Sequence, residues 1–122
     1  MLKFDVYHED DKTGRIELDG VNLIKKECYL GSDVKYPFIL FPFYNMSTGM
    51  QVVSYLKKRI VQRDRDGVKD LLKRSGINGY NFYEILKKTK GSDPDDMIWF
   101  KFDGDNSKFS DTISGRIRSY GK

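Results

Sequence analysis

Leu2, Phe4 and Val6 alternate with Lys3, Asp5 and Tyr7, the period of a strand with one face buried and one face wet. The polar run from His8 to Gly14 predicts a hairpin loop, with Arg15 to Leu18 as the returning strand. Asp19-Gly20 is a tight-turn pair leading into a third strand, Val21 to Ile24, so the start of the chain reads as an antiparallel β-meander. Tyr36 to Phe43 is rich in aromatic and β-branched residues and predicts a further strand, with Pro37 and Pro42 confining it to an edge or to its ends. Its apolar density marks core or interface.

The period then changes from two to between three and four. Ser47 or Thr48 can cap a helix reaching about Ile60, with Met50, Val53, Leu56 and Ile60 as its stripe. A second helix follows Asp66, carries Val68, Leu71, Leu72 and Ser75 on its apolar side, and ends at Gly76, after which Ile77 can fold back onto that apolar stripe. Asn81 and Glu84 have capping-box spacing for a third helix, whose stripe of Phe82, Ile85, Leu86 and Thr89 stops at Gly91. Pro94 among Asp93, Asp95 and Asp96 makes a turn. Met97 to Phe102 then reads as a strand or wing with Ile98, Phe100 and Phe102 on one face and Trp99 and Lys101 on the other. From Asp103 onward the chain is polar and is expected to fray. The pattern is that of one α+β domain over residues 1–122: residues 1–46 mostly β, residues 47–91 helical, and residues 92–122 a strand and polar tail.

Composition narrows the class. A chain of 122 residues with 14% aromatics can bury a core without a disulfide or metal, and it has no apolar run near the roughly 18 residues of a membrane helix. Lys3, Asp5 and His8 interrupt any signal-peptide pattern, and a single cysteine excludes an internal disulfide, so a reducing, cytoplasmic setting is expected. The net charge of +4 is unevenly spread. Residues 1–49 carry 6 basic and 8 acidic groups, residues 50–91 carry 11 and 4, and residues 92–122 carry 5 and 6. The helices therefore hold the positive field, which favours phosphates or an acidic protein surface.

The second and third helices, joined through Gly76, Asn78, Gly79 and Tyr80, have the layout of a helix-turn-helix pair. If the pair reads DNA, Asn78, Tyr80, Asn81 and Tyr83 lie nearest the base edges, while Lys87, Lys88 and Lys90 contact phosphates. In a packed hairpin the same cations, with Lys57, Lys58, Arg59, Arg63, Arg65, Lys73 and Arg74, form a basic face for a protein or nucleoprotein partner. A lone Trp on a strand is more often core or rim packing than a ligand platform, but if the helices pack on the sheet Trp99 lies on the opposite face, partly exposed, where it would anchor such a partner.

Catalytic and metal chemistry finds little support. Asp103, Asp105, Ser107, Phe109 and Asp111 have the spacing of a calcium loop, but Lys108 replaces the required glycine and Ser114 the bidentate glutamate. His8 and Cys28 are too few for a zinc site, and no glycine-rich phosphate loop occurs. A binding protein without cofactor is the leading reading. A DNA-binding regulator is the second, and a small enzyme with His8 beside two carboxylates in a deep pocket is the third.

Arg59, Arg63 and Arg65 before Val68, Leu71 and Leu72, then Gly76-Ile77, Tyr80, Ile85-Leu86, Gly91, Asp96 and Trp99-Phe100, form a pattern over about a third of the chain. It resembles the small modules found as, or beside, the N-terminal part of bacterial HipA-like kinases in toxin–antitoxin systems. The resemblance implies a non-catalytic module that docks on a protein partner or on DNA. The bias toward Lys, Asn, Asp, Tyr and Ile suits a low-GC bacterium or its phage, where inhibitors of host defence are a neighbouring class.

Overall fold

The alternation at the start of the chain becomes strand β1, Leu2–His8, with Leu2, Phe4 and Val6 buried and Lys3 exposed. A computed structural model describes residues 1–60, 67–74, 76, 79–93, 95–112 and 115. The first hairpin is tighter than the polar run suggested. Glu9, at a φ of 54°, and Asp10 form its whole turn, so strand β2 spans Asp11–Asp19 rather than beginning at Arg15. Strand β3 likewise extends over Asn22–Cys28. Strand β4, Ile98–Phe102, completes a four-stranded antiparallel sheet of order β3-β2-β1-β4.

Register explains the layers. Phe4 pairs with Ile16 on one side and Phe102 on the other, and Val6 pairs with Phe100, so one face of the sheet is apolar across three strands. The described helices are α1, Pro37–Leu40; α2, Gly49–Lys58; α3, Val68–Arg74; and α4, Phe82–Thr89, of which α2, α3 and α4 bury side chains against that face. Phe41, Phe43, Val52, Leu56, Leu72, Ile85 and Leu86 join the strand residues in one hydrophobic cluster.

The expected strand at Tyr36 to Phe43 is instead the short helix α1 followed by a turn. Pro37 at the first helical position presets the backbone, and Phe41 donates its amide to the Pro37 carbonyl. Phe41 and Phe43 are fully buried, and the Phe41 ring packs so closely on Gly14 that a Cβ there would overlap it. Helix α2 begins with a capping box in which Thr48 accepts from the Gln51 amide. Its buried side is Gly49, Val52 and Leu56, with Ile60 just beyond, whereas Met50 is 69% exposed and Val53 half-buried. Leu56 and Ile60 are thus buried as expected, while at the start of the helix Gly49 and Val52 take the places expected for Met50 and Val53, with Gly49 lying close to the Val21 carbonyl.

Gly76 takes the expected left-handed conformation after α3. Asn81 caps α4 by accepting from the Glu84 amide, and Ile85 and Leu86 are buried as predicted. The Asp66 cap, the Leu71 side chain and Ile77 lie outside the described residues. The tail does not fray where it is described. Lys90 pairs with Asp105, the Phe109 amide donates to Asp10, and a 3-10 turn at Phe109–Asp111 follows. Asp105 binds Ser107 and Lys90, so the calcium-like spacing is spent on local turns.

Candidate partner-binding surface

Arg59 follows directly on Lys57 and Lys58 in the sequence, yet it faces the opposite way. Arg59 sits at the C-cap of α2, where the helix has unwound, and its side chain is only 6% exposed. Its guanidinium makes a bidentate pair with Asp96, both contacts at 2.8 Å. It also donates to the carbonyls of Gly91 at 2.7 Å and Ile98 at 2.9 Å, and to the Tyr55 hydroxyl at 3.1 Å. The plane lies near the rings of Tyr55 and Phe100. Burial works against the charge, but the Asp96 hydrogen bonds and the neighbouring negative charge outweigh it and hold the guanidinium above its ordinary value. Burial likewise opposes ionisation of Asp96, and the Arg59 contacts overcome it, so the carboxyl titrates below the usual range. Arg59 therefore clamps α2, the end of α4 and β4 together, and it leaves the proposed partner face.

Lys90 is the second correction. It ends α4 in the left-handed region at φ 57°, its carbonyl accepts from the Phe100 amide, and its ammonium pairs with Asp105 at 3.0 Å. It closes the edge of β4 and is spent in that contact. Trp99 is the third. It stands on the sheet face away from the helices, as its strand phase required, but it is fully buried. Tyr7 stacks on it with centroids 4.8 Å apart, Lys101 lies over both rings, and the indole N–H donates to the Glu9 carbonyl at 2.5 Å. Phase alone could not reveal the cross-strand stack and the tight turn that enclose the ring. Tyr80 is half-buried against the core, and Asn81 spends its side-chain oxygen on the helix cap. Arg63, Arg65 and Asn78 lie outside the described residues.

What remains is coherent. Lys57 and Lys58 end α2, Lys73 and Arg74 end α3, and Lys87 and Lys88 end α4; all six are exposed. None makes an ion pair or side-chain hydrogen bond among the described residues. Each stands in the last turn of a helix, where the dipole favours a cation. Tyr83 and Lys87, one turn apart on α4, line a groove of about 310 Å³ with Met1, Leu2 and Gly20. A neighbouring groove of about 200 Å³ shares Met1 and Lys87 and adds Lys3, Phe102 and Asp103. Both Asp103 oxygens are taken by Arg15, whose hydrogen bonds hold that carboxyl below its ordinary range, so Lys3 and Lys87 set the sign of the floor. No family model matches the chain, and comparisons with curated proteins and with solved structures find no match. His8, half-buried at the end of β1, lines neither groove. Among the described residues no group of His, Cys, Asp and Glu could hold a metal ion, and no helix is long and apolar enough to cross a membrane.

Sequence reasoning missed the open face of the sheet. There Arg15 touches Asp5, Glu17 and Asp103, Lys12 reaches Asp5, and Lys25 pairs with Glu27. The signal was present in the alternation: Asp5, Arg15, Glu17, Lys25 and Glu27 all occupy the wet phase of their strands.

Proposed function

We propose that the protein is a non-enzymatic regulatory or inhibitory binding protein, bacterial or from a phage, that engages a protein or nucleoprotein partner through its helical cations. The observation that carries this reading is the set of six exposed cations in the last turns of three helices, without an ion pair among the described residues, of which Lys87 lines the groove together with Tyr83. Unpaired cations keep their full attraction for an acidic surface, whereas cations already bound to carboxylates do not. The groove supplies an aromatic wall and a lysine, the combination of apolar contact and charge common at anchor points. The resemblance of residues 59–102 to modules of HipA-like kinases is compatible with a toxin–antitoxin or defence and counter-defence setting. Arg59, Gly91, Asp96 and Phe100 within that pattern serve the internal clamp, so they would speak for a shared scaffold. The test is capture from extract of the native cell with wild-type protein and with the Lys57→Glu/Lys58→Glu/Lys87→Glu variant as bait. A partner held by the first and lost by the second supports the reading; equal capture by both removes it.

Duplex DNA is the second reading, favoured by the exposure of Tyr83, Lys87 and Lys88 on α4 of the helix-turn-helix-like pair. It expects affinity to fall with salt by a log–log slope of roughly −0.9 per phosphate contacted, and Lys87→Glu to weaken all sequences alike. Absence of binding tighter than about 10⁻⁴ M near physiological salt would end it.

A further inference from the structure

The two edges of the sheet are treated differently. At β4 the Phe100 amide is bonded to the Lys90 carbonyl and the Ile98 carbonyl accepts from Arg59, so that edge is closed. At β3 no backbone hydrogen bond joins the outer edge to the rest of the protein among the described residues. The Tyr29 amide donates to the Thr13 carbonyl, and Glu27 and Lys25 pair with Arg15 and Glu17 two and four residues on. By the alternation of an antiparallel ladder, the N–H and C=O groups of Lys26 and Cys28 point outward. The Lys26 ammonium folds back onto the carbonyls of Tyr44 and Met46, which removes it from the edge. Val21 in the turn before this strand and Ile24 within it are exposed, as are Tyr36, Phe38, Ile39 and Tyr44 on the connection from it to α2, each 45% exposed or more.

We propose that β3 pairs antiparallel with β3 of a second copy, joining two sheets into one across a two-fold axis at Lys26. The charge order selects both the occupant and the register. With Lys26 opposite its own symmetry mate, Lys25 faces Glu27 of the other copy and Glu27 faces its Lys25, so the pair that Lys25 and Glu27 already form within each copy, at 3.2 Å, extends into a four-charge network on the open face. Sliding by one pleat in either direction places Glu27 against Glu27 or Lys25 against Lys25, and like charges directly opposite are unfavourable. In the favoured register the outward N–H and C=O groups of Lys26 bond to those of its mate, and Cys28 faces Ile24, so no disulfide is involved.

The experiment is sedimentation equilibrium of the full chain from about 1 μM to about 1 mM, the range in which weak association is resolved. Wild type should show a reversible dimer, unchanged by reductant. Lys25→Glu and Glu27→Lys should each weaken the dimer by about tenfold or more, because two attractive pairs become two repulsive ones. The double variant K25E/E27K, in which every copy carries the exchanged charges, should restore it. Cys28→Pro removes an outward N–H and should abolish the dimer while a thermal melt still reports a folded monomer. A wild-type monomer throughout the range overturns the proposal, as does a dimer indifferent to both single reversals. A dimer lost on adding reductant would place Cys28 against Cys28 and overturn the register.

Discussion

On the open face of the sheet Arg15 touches three carboxylates and Lys101 lies over two aromatic rings, whereas Lys57, Lys58, Lys73, Arg74, Lys87 and Lys88 on the helices touch no carboxylate among the described residues. The difference follows from the elements. Antiparallel strands set side chains of distant sequence directly opposite one another, so a charge alternating along β1 meets its complement on β2 within hydrogen-bond reach. Short helices that end in two cations have nothing beyond the last turn except the dipole. Charge is therefore part of the scaffold in one layer and left exposed in the other, with Arg59 and Lys90, at the ends of α2 and α4, as the described helical cations that cross to the scaffold side.

Several substitutions would break or sharpen this contrast, the largest first. Trp99→Ala should cost ~3–5 kcal/mol, because the ring is fully buried against Tyr7; a melting temperature near that of wild type would return Trp99 to the surface. Arg59→Ala removes a side chain only 6% exposed, and with it the guanidinium hydrogen bonds to Asp96, itself 41% exposed, and to the Gly91 and Ile98 carbonyls. It should cost about 3 kcal/mol by urea unfolding, several lost hydrogen bonds at about 1 kcal/mol each. Arg59→Lys should recover only part of this, since an ammonium cannot reproduce the fork that meets both Asp96 oxygens. Gly91→Ala should cost about 1–3 kcal/mol, since Gly91 has φ 61° and a Cβ there would meet the Phe100 ring.

A smaller effect is pH-dependent. Asp96 titrates lower in the folded protein than in the unfolded chain, so its contribution is fully present above the unfolded value of about 4 and is lost as pH falls toward the lowered native value. In Asp96→Asn that segment of the acid limb should flatten; an unchanged slope below about pH 4 would detach Asp96 from the clamp.

How much of this was legible depended on the distance over which each residue finds its partners. The strand phase of Leu2, Phe4 and Val6, the caps at Thr48 and Asn81, and the left-handed Gly76 are set within a few residues, and all appear where the sequence places them. Arg59 could not be read from its neighbours: beside Lys57 and Lys58 it looks like one more surface cation, while the carboxylate that claims it lies 37 positions away. Trp99 shows the same division. Its face followed from alternation, but its burial depends on Tyr7 and the Glu9 turn at the far end of the chain. Residues 36–43 misled in another way, because Pro37 converts an apolar run with strand composition into a helical turn that still delivers Phe41 and Phe43 to the core.

The smallest stability change carries the most weight for function. Lys57→Glu/Lys58→Glu/Lys87→Glu should unfold within about 0.5 kcal/mol of wild type per substituted site, because no ion pair or hydrogen bond among the described residues is lost and only the solvent-screened attraction to the helix dipole is reversed. The decisive measurement is the binding of this folded triple variant to the partner captured by the wild-type protein. The account predicts affinity lower by at least about tenfold, growing at low salt. Equal affinity in wild type and variant would contradict it.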